Sequence, residues 1–343
     1  MSLSTFLNKI FPKVENTFTG LILPPQKEIN SITTFNEIVA SASPVVWKTL
    51  NVDLIPSWPQ YNQGYTSSCV AHTKALMDSI LYFLRTGSKI KFSPVWIYDH
   101  RTNKPSAGMI GTNAFAIGRD VGSIPYDLLN TPQSEIEANK PIVYPWFDDI
   151  GKVFRTADEP ILVPIKNIDT LVSIQQATGK PIMVWFEFEW SEWAKFVPTI
   201  NVSAPTLRHS VTFIPPSNLT EMTYGMLNGE KAIIIQDSAG VNSTQNGNRI
   251  ITESFFKERN IFAAYTMRFK FDVTMATPHY DGTIISLQKC LMSLGYFPSN
   301  ITPIESYGNI TRGAVIKFQQ ANGLTGTGLL DEATKSLLQA KFN

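Results

Sequence analysis

The chain has 343 residues, of which 43% are apolar and 17% are charged, and its formal net charge at pH 7 is +1. This length is enough for about two domains of ordinary size. Proteins that bind DNA or RNA concentrate Lys and Arg on one face, so this balanced charge argues against a nucleic-acid partner. No apolar run reaches the roughly 20 residues that a transmembrane helix requires, and no membrane span is expected.

The N-terminal part of the chain predicts an arm followed by a buried helix. Residues 1–45 alternate short apolar and polar stretches around the breaker LPPQ, which predicts an irregular arm. Apolar side chains then recur at helical spacing through VAHTKALMDSILYFLRTG, from Val70 to a terminating glycine at Gly87. The preceding TSS, residues 66–68, offers hydroxyl groups for the helix start. A second helix is predicted over PVWIYDHR.

Beyond about residue 160 the apolar period shifts towards two. Four short runs are rich in β-branched and aromatic residues and are bounded by turn formers: KPIMVWFEFEW, RHSVTFIP, KAIIIQDSAG and FAAYTMRFKFDV. Such runs are typical of strands in an antiparallel sheet. Helices first and strands later predict an α+β arrangement in which one half packs on the other.

The chain contains only two cysteines, Cys69 and Cys290, whose wide separation predicts two free thiols. Cys69 falls in the first turn of the predicted helix, where unpaired backbone N–H groups and the helix dipole favour a thiolate. A lone cysteine at a helix start is also often a small buried residue. The hypothesis that Cys69 is a nucleophile therefore depends on finding a histidine that can lie beside it.

Four histidines compete for this role. His72 lies on the same helix, where its ring would project over its own turn, whereas His100 and His279 lie in polar segments with no regular element to hold them. His209 opens the alternating strand HSVTF, and a strand provides a rigid mount for a catalytic ring. We predict His209 as the base and Asp237, at the end of AIIIQD, as its orienting partner. The alternatives are a core histidine and a turn-capping aspartate.

These residues resemble those of the papain-like cysteine peptidases. Gln63 stands six residues before Cys69 in NQGYTSSCVA, and His209 follows Cys69 by 140 residues, within the ~130 to 150 of that family. DSAG, from Asp237 to Gly240, resembles the family motif Asn-Ser-Trp-Gly. The resemblance implies a helical half and an antiparallel β half without a metal or cofactor. It also implies that the Gln63 side-chain amide and the Cys69 backbone N–H form an oxyanion hole.

The sequence departs from the family pattern around both ends of the site. Thr66, Ser67 and Val70 replace the cysteine, glycine and aromatic residue that flank the family's nucleophile. Asp237 replaces the asparagine, so a carboxylate is expected to raise the pKa of the histidine, and Ala239 removes the tryptophan that would shield it. The chain has no room for a long inhibitory pro-segment, so control of the zymogen type is not expected.

The last part of the chain predicts three short helices that share one small core. Apolar residues recur at helical spacing in three groups: Leu287, Leu291 and Leu294; Ala314, Val315 and Phe318; Ala333, Leu337 and Leu338. The segment resembles the three-helix peptidoglycan-binding module, with Cys290 buried and unreactive. An alternative is that it only caps the enzyme or packs on a partner. The predicted domains are an arm (1–45), a papain-like domain (46–272), a linker (273–280) and this module (281–343).

Together, the two resemblances predict a cysteine peptidase directed to the bacterial cell wall. Its substrate would be the peptide cross-links of peptidoglycan or proteins lodged in the wall, and its location extracellular or wall-associated. The N-terminus shows no secretory signal, which favours a phage lysin or a virion-borne wall-degrading protein with other virion proteins as partners. The alternative is a structural virion or wall-adhesion protein on a papain-like scaffold without turnover.

Overall fold

The structure, a computed structural model, describes most of the chain outside its first residues. The described residues are 20–32, 45–86, 89–130, 134–142, 146–155, 159–164, 167–218, 220–239, 244–259, 261–268, 284–298, 301, 303, 307 and 309–342. The predicted linker at 273–280, together with Gly87, Gly240 and His279, lies outside them.

The first half of the chain is built around one long buried helix. The strands are β1 (Leu21–Ile22) and β2 (Met109–Ile110), and the helices are α1 (Gln26–Ser31), α2 (Cys69–Thr86), α3 (Pro94–Asp99), α4 (Asn113–Asp120), α5 (Glu135–Ala138) and α6 (Trp146–Val153). Short 3-10 turns occupy Val52–Leu54 and Tyr126–Leu128. Helix α2 packs against α3 and α4, as its apolar surface requires. The helices predicted from VAHTKALMDSILYFLRTG and PVWIYDHR are confirmed by α2 and α3.

The expectation of an irregular N-terminal arm is wrong for residues 20–32. These residues form β1 and α1, and β1 pairs in parallel with β2. Leu21 is buried in the core beside α2. A two-residue strand owes its structure to a partner far along the chain, and hydrophobic periodicity within the arm carries no sign of that partner.

The second half contains one antiparallel sheet, as predicted. Its strands are β3 (Glu159–Val163), β4 (Ile182–Phe188), β5 (Leu207–Phe213), β6 (Tyr224–Leu227), β7 (Glu230–Gln236), β8 (Asn248–Thr252) and β9 (Ile261–Arg268). Their order is β3, β9, β4, β5, β7, β6, with β8 also pairing with β7. The four predicted strands are confirmed as β4, β5, β7 and β9. Three helices interrupt the strands: α7 (Ile168–Thr178), α8 (Trp190–Trp193) and α9 (Glu253–Glu258).

The sheet separates two apolar cores, which explains the period of two in its strands. Trp185 of β4 belongs to the core that contains α2, and its neighbour Phe186 belongs to the core that contains α7 and α9. Successive side chains of a strand point to opposite faces, so one alternating run supplies both cores. The nucleophile helix therefore packs on one face of the sheet.

The C-terminal residues form the three predicted helices. These are α10 (Ile284–Ser293), α11 (Asn309–Ala321) and α12 (Glu332–Phe342). Their shared core includes Leu287, Leu291, Val315, Phe318 and Leu338, and it contains Cys290, which is fully buried as expected.

A glutamine holds the loop between α11 and α12 from inside this core. The Nε2 of Gln319 donates to the carbonyl of Leu329 at 2.8 Å and to Oγ1 of Thr334 at 2.9 Å, and its Oε1 accepts from the N–H of Gly328 at 2.8 Å. Asp331 Oδ1 accepts the N–H of Thr334 and begins α12. Among the helices that the structure describes, none combines the length and apolar character needed to cross a membrane.

Candidate active site

Cys69 is the first residue of α2, and its side chain is buried. It carries a free thiol, as does Cys290, which confirms the expectation for both cysteines. The backbone N–H groups at the start of the helix surround the thiol with positive partial charge. The sequence prediction thus places Cys69 correctly, at the position where a helix favours a thiolate.

His209 lies on β5, opposite Phe186 of β4, and its side chain is buried. Its Nε2 lies 2.7 Å from Oδ1 of Asp237, which follows the last residue of β7. The Cys69 side chain interacts with the same ring and raises the pKa of His209. Because Nε2 is engaged with Asp237, Nδ1 is the ring nitrogen available to the thiol. The structure therefore brings Cys69, His209 and Asp237 together in one buried series.

The electrostatics of this series favour a charged histidine. Burial by itself lowers the pKa of His209, but the charge of Asp237, its hydrogen bond and the Cys69 side chain outweigh burial and raise this pKa to about 9. Burial likewise raises the pKa of Asp237, and the charges and hydrogen bonds of His209 and Arg249 outweigh it and lower this pKa to about 2. The pKa of His209 thus moves in the direction expected for a carboxylate in place of asparagine.

A tryptophan shields the carboxylate, although Ala239 does not provide it. The indole N–H of Trp193 in α8 donates to Oδ2 of Asp237 at 2.6 Å, and its ring centre lies 5.7 Å from that of His209. The expectation that Ala239 leaves Asp237 without a tryptophan is therefore wrong. The indole comes from another element of the fold, and the only sequence signal for it is the aromatic cluster WFEFEWSEW.

Gln63 is buried next to the turn that follows Asp237. Its backbone N–H donates to the carbonyl of Ser238 at 2.9 Å, and its Oε1 accepts from Oγ of the same serine at 2.9 Å. Its Nε2 donates to the carbonyl of Thr66 at 2.8 Å, which uses one of the two amide hydrogens. These contacts fix the Gln63 amide beside the loop that leads into Cys69.

A carboxylate from a distant helix holds this same loop. Glu135 of α5 accepts the backbone N–H of Ser67 through Oε2 at 3.0 Å and the hydroxyl of Tyr98 through Oε1 at 2.6 Å. Arg101 pairs with Oε1 at 3.4 Å. Sequence reasoning did not find Glu135, because nothing in its neighbourhood distinguishes it from a surface carboxylate.

The other two described histidines hydrogen-bond to residues outside the series of Cys69, His209 and Asp237. His72 bonds through Nδ1 to the carbonyl and hydroxyl of Ser68, so its ring lies over its own turn as predicted. His100 is held more firmly than expected. Its Nδ1 lies 2.9 Å from the carbonyl of Trp96, and its ring lies 4.3 Å from that of Trp96, because it caps the end of α3.

The backbone of the N-terminal arm covers the thiol. A Cβ atom placed on Gly20 would lie 2.6 Å from Sγ of Cys69, so any side chain at this position would force the thiol or the backbone to shift. The carbonyls of Gly20 and Ile22 accept the N–H groups of Met109 and Gly111 at 2.9 and 3.1 Å. We call residues 20–22 the strap. This short segment lies across Cys69 and contacts β5, the strand of His209.

The fold has known counterparts among solved structures. Xylellain, a cysteine protease from Xylella fastidiosa, matches over 74% of this chain and 96% of its own, with a TM-score of 0.53 and 16% identity. The proform of Amb a 11, a cysteine protease and ragweed pollen allergen, matches over 71% and 73%, with a TM-score of 0.51 and 17% identity. Procathepsin B S9 from Trypanosoma congolense matches over 79% and 99%, with a TM-score of 0.52 and 12% identity.

The chain has a papain-like fold. This confirms the predicted α+β class, with its helical half, antiparallel sheet and all-helical C-terminal segment. Residues 281–338 match a family described as a putative peptidoglycan binding domain. No curated protein matches the chain in sequence. Within the described ranges, no cluster of three or more His, Cys, Asp or Glu side chains is arranged to hold a metal ion.

Proposed function

We propose that this protein is a cysteine peptidase that hydrolyses amide bonds in the bacterial cell wall through an acyl-enzyme. The observation that carries the proposal is the buried series of Cys69, His209 and Asp237 on a papain-like fold. Cysteine and histidine in hydrogen-bond contact, with the histidine oriented by a third group, form the arrangement that activates a thiol nucleophile.

The residues then have the following roles. The Cys69 thiolate attacks the carbonyl carbon, and the carbonyl electron pair moves onto oxygen, where Gln63 and the Cys69 backbone N–H receive the negative charge. The His209 imidazolium donates its proton to the leaving amine as the C–N bond breaks. A water molecule, deprotonated by His209, then cleaves the thioester and restores the thiolate. Asp237 holds the ring of His209 throughout.

The C-terminal segment supports the cell wall as the location of the substrate. Residues 281–338 match the putative peptidoglycan binding family, and α10 to α12 form their own small core. The pairing also supports the finer hypotheses: cross-link peptides of peptidoglycan as the substrate, a phage- or virion-borne source, and virion proteins as partners. If an amine replaced water in the last step, the same site would catalyse transpeptidation.

The test uses purified cell walls and the full chain. Wild-type protein and Cys69→Ala are incubated with the walls, and newly freed amines are measured. The matched control is Cys290→Ala, which removes the other thiol from the core of α10 to α12. We expect amine release from wild type and the control and none from Cys69→Ala. Equal release from wild type and Cys69→Ala would overturn the proposed peptidase activity.

A second candidate is a structural virion or wall-adhesion protein that does not turn over substrate. The observation that favours it is the strap, whose backbone lies against Sγ of Cys69. This candidate predicts that both wild type and Cys69→Ala pellet with wall sacculi while neither frees amines. Amine release by the wild type would exclude it.

A further inference from the structure

Asp237 is surrounded by four hydrogen-bond donors. Its Oδ1 accepts from His209 Nε2 at 2.7 Å and from the N–H of Ala239 at 2.9 Å. Its Oδ2 accepts from Trp193 Nε1 at 2.6 Å and from Arg249 Nε at 2.9 Å. Two oxygens of a carboxylate offer about four lone-pair sites, so its hydrogen-bonding capacity is filled.

Arg249 is the unexpected member of this set. It lies on β8 and its side chain is fully buried. Its two terminal nitrogens donate to the carbonyls of Lys195 at 2.7 Å and Ala239 at 3.0 Å. Its guanidinium carbon lies 5.0 Å from the ring centre of Trp193. The cation is therefore held beside Asp237 by contacts within the protein.

One carboxylate thus faces two cations. On one side lies His209, whose pKa is raised to about 9, and on the other lies Arg249, which carries a permanent charge. Helix α2 adds Cys69 beside His209, and it adds His72, which lines a small cavity together with Asp237. Helix α8 adds the neutral indole of Trp193. Burial lowers the pKa of His72 to about 4, so it is uncharged at neutral pH. Arg249 is then the charged group that offsets the carboxylate.

We propose that Arg249 is a positioning residue for the peptidase chemistry, because it balances the charge of Asp237 and fixes the orientation of that carboxylate. The inference rests on the proposed function. A carboxylate alone would orient His209 and hold its proton strongly. A carboxylate paired with a guanidinium still orients the ring, but its field at His209 is weaker than that of an unpaired carboxylate.

The pairing also explains why an aspartate is tolerated where papain-like peptidases have asparagine. Removal of one partner of a buried ion pair leaves the other without its counter-charge. This destabilises the fold far more than removal of both partners does. In related sequences, Asp237 and Arg249 are therefore expected to be substituted together. An arginine within the apolar strand segment NRIIT is the sequence signal of such a partner.

The test measures the titration of His209 by NMR in full-length protein with labelled imidazole rings, assigned with His209→Gln. We expect Arg249→Met to raise the titration midpoint of His209 by about 1 pH unit, since a positive neighbour is lost. Arg249→Lys, which keeps the charge, is expected to stay near wild type. The matched control is Arg259→Met, because Arg259 is also buried and paired with a carboxylate, that of Glu192.

A double substitution separates charge balance from simple damage. We expect Asp237→Asn and Arg249→Met each to lower the melting temperature. We expect the decrease in the double variant to be smaller than the sum of the two single decreases. The inference would be overturned if His209 titrated in Arg249→Met with the same midpoint as in wild type. It would also be overturned if the double variant lost as much melting temperature as the two single variants together. Neither measurement involves turnover, so a failure of amine release from walls would count against the peptidase proposal alone.

Discussion

The indole nitrogen of Trp193 donates a hydrogen bond to the carboxylate of Asp237 across 2.6 Å, linking a four-residue helix to the end of β7. The same ring packs on Phe186, Phe188 and His209, with ring centres 5.2 to 5.7 Å apart. The Trp193 side chain thus binds Asp237 and covers the ring of His209. Its polar and its apolar contacts can be separated by mutation.

Trp193→Phe removes the N–H donor and keeps an aromatic ring. A hydrogen bond to a charged group contributes about 1.5–3 kcal/mol, so we expect the free energy of unfolding to fall by about 2 kcal/mol and amine release to slow. Chemical denaturation and the wall assay measure these effects. Trp190→Phe, on the same helix but packed on Phe188, is the control. Equal losses in the two variants would show that the bond to Asp237 has no special role.

The strap predicts that Cys69 reacts slowly until residues 20–22 move. We compare a chain that begins at residue 20 with one that begins at residue 25, and measure the rate of Cys69 alkylation. The shorter chain lacks the backbone that lies against Sγ, so we expect alkylation to be about tenfold faster, roughly the equivalent of one backbone hydrogen bond. Identical rates in the two chains would contradict a covering role for the strap.

The raised pKa of His209 predicts where activity is lost at high pH. Protonation of the leaving amine requires the imidazolium, and the pKa of His209 is about 9, so we expect kcat/KM to fall as the pH rises through about 9. An ordinary histidine with a pKa of 6.5 would lose its proton far earlier. A pH profile of amine release measures the midpoint, and an alkaline midpoint near 6.5 would contradict the prediction.

The same shift has a consequence for stability. The folded-state pKa of His209 lies above its unfolded value, so its protonation stabilises the fold fully below about 6.5 and this contribution disappears as the pH rises towards 9. We expect the difference in unfolding free energy between wild type and His209→Gln to shrink over that interval. Denaturant titrations at several pH values test this, and a constant difference would argue against it.

The contacts of Glu135 predict that α5 holds the loop that precedes Cys69. In Glu135→Ala the backbone N–H of Ser67 and the hydroxyl of Tyr98 both lose their acceptor. We expect kcat/KM to fall about tenfold, because the loop before Cys69 loses a charged hydrogen-bond partner. Glu137→Ala changes an exposed carboxylate on the same helix and is the control. Matching kinetics in the two variants would assign Glu135 no part in the site.

The hydrogen bonds of Gln319 predict that the stability of the C-terminal helices depends on this one polar side chain. Gln319→Ala leaves the N–H of Gly328 and the carbonyl of Leu329 without their side-chain partner, so we expect about 2 kcal/mol of destabilisation and weaker pelleting with sacculi. The exposed neighbour Gln320→Ala provides the comparison. If both variants unfold and pellet as wild type does, the glutamine network is dispensable.

Local patterns were sufficient to predict the elements that carry the proposed catalytic side chains. The helix at Cys69 and the strand at His209 have apolar periods that identify them, and Asp237 ends a strand of the same kind. A side chain at the end of a regular element has its position fixed by that element. Three of the four predicted site residues therefore come together as the sequence indicated, and Gln63 lies buried beside them.

The residues that sequence reasoning missed act through contacts distant in sequence. Trp193 reaches Asp237 from 44 positions away, and Glu135 reaches Ser67 from 68. Gly20 meets Cys69 because β1 pairs with β2. Neither the hydrophobic period of a segment nor its secondary-structure propensity indicates such pairings. Arg249 could have been identified from the sequence, because a cation inside an apolar strand requires a buried partner.

The strap lies against Cys69 through Gly20, while the next residue, Leu21, is anchored in the core. Loss of the single Gly20–Met109 hydrogen bond would bare the sulfur while Leu21 stays in place. One backbone hydrogen bond contributes only about 0.5–1.5 kcal/mol, so we expect brief fraying to suffice for exposure. The strap is thus expected to delay access to the thiol by a modest kinetic factor, with no cut in the chain.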